Sequence, residues 1–182
     1  GIDAAHKLSL LASIAFGIPL QFNKVYCEGI TKINLQDVVY AKELGYTIKH
    51  LGFAFRREHG FELRVHPTLI PNSTLLANVN GVKNAVMVDA HPLGQSLYYG
   101  DGAGAGATAS AVMADVMDLI YVINANTPSD VPHLAFVPEE LSDTRILSGD
   151  EMTCGYYLRL TVKDELGVLA DTTRILSENG IN

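Results

Sequence analysis

From residue 8 to residue 16 every position is apolar except Ser9 and Ser13, the pattern of a helix that is buried. After a loop carrying Pro19, Asn23 and Gly29, a second helix announces itself. Asn34 stands as N-cap with Asp37 three residues on, Ile33 and Val38 take the two staple positions, and Gly45 follows Leu44 as the terminating residue. The period then shortens to two. Leu51, Phe53 and Phe55 alternate with other residues, Glu58-His59-Gly60 supplies a short loop, and Phe61, Leu63 and Val65 alternate with Glu62, Arg64 and His66. This spacing predicts a hairpin whose second strand is half-buried, with its charged side chains outward. Residues 71–78 suit a short helix, and 83–89 with 95–99 read as a second strand pair around His91-Pro92-Leu93-Gly94. A glycine- and alanine-rich turn over 100–106 opens a long helix from Thr108 to about Asn124.

Beyond that helix the pattern breaks. Pro128, Pro132 and Pro138 come in quick succession, followed by Glu139, Glu140, Asp143, Asp150 and Glu151. Residues 126–153 therefore read as a linker, with a short helix near Glu139. Residues 156–162 then predict a strand and 168–178 a helix. A lone strand and helix cannot bury a core, so a second, incomplete domain is expected over 154–182 after a first over 1–125. The absence of an initiator methionine points the same way, to a piece of a longer protein. The fold class expected is α+β: a mixed, largely antiparallel sheet covered on one face by the apolar helices.

Composition narrows the partners. The chain has 182 residues, 48% hydrophobic and 18% charged, which indicates a globular protein with a substantial core. A net charge of −7, with Arg56-Arg57 the densest basic spot, argues against nucleic acid bound through phosphates. No uninterrupted apolar run approaches the ~20 residues that span a bilayer, so no membrane segment is expected. Two distant cysteines, Cys27 and Cys154, fit a reducing compartment such as the cytoplasm. Cys27 reads as a buried small apolar residue. The six histidines show no metal-ligand spacing, so no metal is expected, and His59 and His66 read as surface residues.

Two groups of residues carry candidate chemistry. Asp3 and Lys7 lie four apart at the head of the first helix and so share a face. Lys7 is a cation where the helix dipole is positive. Burial and the dipole both favour its neutral, proton-accepting form, whereas Asp3 opposes that shift. An N-cap aspartate beside a solvated lysine is the plainer alternative. The turn Gly102-Ala103-Gly104-Ala105-Gly106-Ala107 loosely matches a dinucleotide fingerprint, but no second parallel strand follows to close a βαβ unit. Its small residues suit either close approach to another domain or ligand, or tight helix–sheet packing through Ala109, Ala111 and Ala114.

These residues carry a resemblance. Gly1-Ile2-Asp3-Ala4-Ala5-His6-Lys7-Leu8 resembles the substrate-site motif of homoserine dehydrogenases. Glu28-Gly29-Ile30-Thr31 and Ala41-Lys42-Glu43-Leu44-Gly45-Tyr46 resemble the following helix region of that family. Gly102-Ala103-Gly104 with Thr108-Ala109-Ser110-Ala111-Val112 is similar to its glycine turn, although Ala107 stands where many members have proline. Residues 158–182, with Asp164, Gly167-Val168-Leu169 and Gly180-Ile181-Asn182, resemble the opening strand and helix of an ACT domain, a ferredoxin-like regulatory module.

The resemblance implies an oxidoreductase interconverting homoserine and aspartate β-semialdehyde with NAD or NADP, in threonine, methionine and isoleucine biosynthesis. It implies Lys7 as the catalytic proton acceptor, Asp3 as a substrate-binding residue, and Gly104 and Thr108 facing the nicotinamide end of the cofactor. It further implies a homodimer or higher homo-oligomer, its dimer interface formed largely through residues 46–99, and an ACT portion that responds to threonine. The nucleotide-binding domain of the family would lie upstream, so this piece alone is expected to be inactive. A non-catalytic dimerisation or amino-acid-binding module of the same fold is the alternative.

Overall fold

The computed structural model describes residues 1–125, 132 and 134–181. Asn126, Pro128, His133 and Asn182, which the sequence reading includes in the linker and the C-terminal module, lie outside the described residues. The order is α1 (Ile2–Phe16), β1 (Tyr26–Cys27), α2 (Leu35–Glu43), β2 (Tyr46–Arg57), β3 (Gly60–Pro71), β4 (Lys83–Ala90), β5 (Gly94–Asp101), α3 (Ala105–Ala125) and α4 (Val168–Glu178), with short 3-10 turns between. The class is α+β as expected, but the strands form two sheets. One has the order β1-β3-β2, with β2 antiparallel and β1 parallel to β3; the other is the hairpin β4-β5.

The capping signals of α2 are realised in full. The Asp37 N–H donates to Asn34 Oδ1 and the Asn34 N–H donates to Asp37 Oδ2, each at 3.0 Å. Gly45 then takes φ +82°, a conformation that side-chain-bearing residues rarely adopt.

The main core lies between α1 and one face of the first sheet. Ala5, Leu8 and Ala12 pack with Phe61, Leu63, Val65, Ile18 and Ile146. Gly52 of β2 lets the helix sit close: a methyl there would meet Leu8 at 3.4 Å. Register explains why this face holds β3's apolar residues opposite small ones of β2, with Val65 facing Gly52 and Leu63 facing Ala54. The apolar residues of β2 point the other way. Leu51, Phe53 and Phe55 pair with His66, Arg64 and Glu62.

Several expectations are corrected here. The apolar α1 is buried along only one face; Leu10, Leu11 and Ile14 are exposed because no described element lies over them. The charged residues of β3 are not outward, since Glu62 and Arg64 are only 2% and 8% exposed. They compensate each other as an ion pair at 2.9 Å, and the Arg64 guanidinium lies 4.9 Å from the Phe53 ring. His66 is half-buried, stacked on Phe53 at 5.5 Å, and Cys27 is exposed.

The stretch expected as a linker contributes to the core. Ile146 and Leu147 are buried, the Phe61 N–H donates to the Arg145 carbonyl, and the Leu147 N–H donates to the Phe61 carbonyl. Residues 156–162 form no strand, because a strand needs a hydrogen-bonded neighbour and none pairs with them among the described residues. The helix expected over 168–178 is present as α4.

Helix α3 begins three residues before the expected start and buries no residue, so packing through Ala109, Ala111 and Ala114 does not occur among the described residues. By length and mean composition alone it is apolar enough to cross a membrane, although polar residues interrupt the run. Asp115 and Asp118, one turn apart near its middle, oppose insertion at about 2.5–3.5 kcal/mol each.

Candidate active site

Helix α1 places Asp3 and Lys7 one above the other, the geometry that i, i+4 spacing requires. Lys7 Nζ stands 2.8 Å from Asp3 Oδ2, with the two side chains 61% and 83% exposed. The hydrogen bond from Lys7, then its charge, holds the Asp3 carboxyl below the usual carboxylate range. The expected burial of Lys7 is not found: the buried positions Ala5, Leu8, Ser9 and Ala12 lie on the opposite face. The same anchoring that fixes the helix on the sheet therefore aims the pair away from it. His6 adds a ring on the outer face, 3.9 Å centroid to centroid from Phe22.

The start of α1 is fixed by its neighbours. A methyl at Gly1 would stand 2.7 Å from Cys27 Sγ and 3.5 Å from the Glu28 carbonyl. That carbonyl accepts from His50 Nε2 at 2.9 Å, and the Glu28 N–H donates to the Val65 carbonyl at 2.8 Å. Sequence reasoning missed His50 as a brace for the site. No local motif joins it to Glu28, and only the parallel pairing of β1 with β3 brings the two together.

Gly104 and Thr108 sit at the other candidate position, the entry to α3, where the Thr108 N–H donates to the Gly104 carbonyl at 3.1 Å. Gly104 has φ +122° and, like Gly106, open space where a side chain would stand. Gly102 is the tight one: a methyl there would fall within the Asn84 side chain of β4. The turn is thus pinned to the hairpin at Gly102 and open at Gly104. Two grooves flank α2 and the first sheet, the larger about 850 Å³, and neither is lined by Asp3, Lys7, Gly104 or Thr108. The acid–lysine pair and the glycine turn are each formed as local units on separate elements.

Comparison with known proteins settles the family. The homoserine dehydrogenase family model matches residues 1–117. The chain belongs to the homoserine dehydrogenase family. It is 60% identical over 182 residues to the homoserine dehydrogenase of Pseudomonas aeruginosa, covering all of this chain and 42% of that protein. The enzyme of Neisseria gonorrhoeae is 50% identical over the same length, again with 42% of it covered. Among solved structures, a homoserine dehydrogenase from Thiobacillus denitrificans superposes with a TM-score of 0.83 at 51% identity, over 98% of this chain and 41% of that one. The chain thus spans about two-fifths of the length of the homoserine dehydrogenases it matches.

Proposed function

We propose that the complete polypeptide is an NAD(P)-dependent homoserine dehydrogenase that interconverts L-homoserine and L-aspartate 4-semialdehyde. This chain supplies its substrate side: a catalytic and dimerising portion at 1–125, a connection at 126–153 and the first part of an ACT module at 154–182. The observation that carries the reading is the Asp3–Lys7 pair, held at 2.8 Å on the outer face of a helix whose inner face is locked to a sheet.

In the oxidative direction Lys7 Nζ takes the proton of the substrate hydroxyl. In the reverse direction it donates to the carbonyl oxygen, and Asp3 holds Nζ in place while its second carboxylate oxygen orients the substrate. Preorganisation of this kind lets a general base act without a search for geometry.

The residues at the α3 entry fit the nicotinamide end of NAD(P), because Gly104 and Gly106 leave open space beside the first-turn amides of a helix. When bound, the oxidised cofactor would supply the hydride acceptor, and its reduced form would supply the hydride in the reverse direction. Gly104 and Thr108 would border that position, with the open space at Gly104 left for the ring.

The rest of the reading follows from the same resemblance. It comprises a homodimer formed through residues 46–99, a threonine response at the ACT module, and a cytoplasmic place in threonine, methionine and isoleucine biosynthesis. The exposed Tyr98, Tyr99, Val86 and Val88 of the β4-β5 hairpin favour a partner there, and Cys27 and Cys154 are free thiols.

The deciding experiment is Lys7→Ala in the complete enzyme. Turnover of homoserine falls by about 10²–10⁴-fold while NAD(P) binding, followed by fluorescence titration, persists. Turnover within threefold of wild type overturns the role of Lys7.

A further inference from the structure

The C-terminal segment touches the first portion of the chain at a buried acid that already has a structural task. Asp37 is 5% exposed and closes the capping box of α2 through Oδ2. Its other oxygen, Oδ1, accepts from Arg159 Nε at 2.6 Å and from the Tyr157 hydroxyl at 3.4 Å. Tyr157 and Arg159 are two apart in an extended segment and so point to one side. Their neighbours Tyr156, Leu158, Leu160 and Val162 turn the other way and are exposed. One side of the segment is therefore clasped to the head of α2, and the apolar side is left for other packing.

We infer that the Arg159–Asp37 ion pair is a latch that docks the C-terminal segment on the α2 cap and ties the order of that cap to the docked state. Asp37 suits this role because one carboxylate serves two partners at once. Losing Arg159 leaves a mostly buried carboxylate with only neutral donors. The cap is also a short step from the candidate active site. Asn34 ends the loop that begins at Glu28, and the Glu28 carbonyl lies against Gly1, the N-cap of α1. The Ile33 N–H donates to the Ile30 carbonyl at 3.0 Å, so this loop has a turn of its own between the two ends. Loosening of the latch thus reaches the segment that braces Asp3 and Lys7 without any rearrangement of the sheet.

The test uses the complete enzyme with Arg159→Gln and Arg159→Lys, read by two measurements. Chymotrypsin cleavage after Tyr156, Tyr157 and Leu158 reports docking, and hydrogen exchange over residues 30–38 reports the cap, with β2 and β3 as internal reference. Arg159→Gln raises both by about tenfold and leaves the reference unchanged, the size expected for one charge-assisted hydrogen bond. Arg159→Lys restores at least half of each effect on a logarithmic scale. Unchanged cleavage overturns the docking role, and faster cleavage with unchanged exchange at 30–38 overturns the coupling. A lysine variant indistinguishable from the glutamine variant shows that shape, not charge, makes the contact, and overturns the latch as an ion pair.

Discussion

Replacing Glu62 with leucine removes the single carboxylate that neutralises two guanidinium groups on β3 and β2. Glu62 contacts Arg57 Nε at 2.7 Å and Arg64 Nη1 at 2.9 Å, and Arg64 is itself only 8% exposed. Breaking one partner of a buried pair strands the other charge, which costs about 3–5 kcal/mol. At about 2–4 °C per kcal/mol for a chain of this size, Tm falls by about 6–20 °C. The pair itself is poorly aligned: Glu62 Oε1, Arg64 Nε and Arg64 Nη1 make no hydrogen bond. Its net worth against an apolar replacement is therefore small. Glu62→Leu combined with Arg64→Met, which keeps the volume and the contact with Phe53, should be close to wild type or more stable by about 1–4 kcal/mol. Urea titration of the wild type, both single variants and the double variant measures the coupling. A Glu62→Leu cost below about 1 kcal/mol, or a double variant whose loss equals the sum of the singles, refutes the account of a buried pair whose desolvation is met only by its partner.

Three further outcomes follow from separate features. Ile146→Ala should cost about 2–5 kcal/mol in urea unfolding, because Ile146 is buried beside Phe61; a change under about 0.5 kcal/mol would return residues 134–151 to the status of a linker. Gly102→Ala should destabilise by about 1–3 kcal/mol through overlap with Asn84, and Asn84→Gly in the same chain should recover most of it, as thermal melts would show. Acid stability is the third. The Glu151 carboxyl is lowered from 4.5 to about 2, first by its hydrogen bonds from Arg145 and then by Ser148. A folded-state value below the unfolded one stabilises the chain above the unfolded pKa, and the contribution is lost as pH falls toward the folded one. Tm should therefore decline between pH 4.5 and about 2, and Glu151→Gln should flatten part of that limb; an acid limb identical in the variant excludes Glu151 from it.

Local signals were the most legible in the sequence. Asn34 and Asp37 name their own hydrogen bonds, and the hairpins declare themselves by a period of two with short polar loops. What alternation does not reveal is which face of a strand meets which layer. Glu62 and Arg64 read as outward because charge normally marks solvent, yet register sets them beside Phe55 and Phe53 on a covered face. The stretch rich in proline and acid read as linker, since nothing local shows that Ile146 reaches Phe61 across 85 positions of sequence. In the candidate site the spacing of Asp3 and Lys7 was readable and the exposure of Lys7 was not. Burial depends on what lies over a helix, and the apolar run after Lys7 describes only the helix itself.

That exposure bears on how the site works. Lys7 is 61% exposed at 2.8 Å from the Asp3 carboxylate, so in this chain water reaches the pair from its outer side. The outer face of α1 that carries this pair also carries Leu10, Leu11 and Ile14, all exposed. Apolar side chains of that number on one face mark a surface that another protein element covers. Covering them also removes water from the neighbouring Asp3–Lys7 pair, and a charged hydrogen bond strengthens as water leaves it. The geometry of the pair is thus built into α1, whereas its shielding from water depends on the closing of that face. It follows under the proposed function that Leu10→Ser or Ile14→Ser in the complete enzyme should weaken that cover by about 1.5–3 kcal/mol each and lower kcat/KM for homoserine. Retention of the wild-type kcat/KM in both would show that the site does not depend on cover over α1.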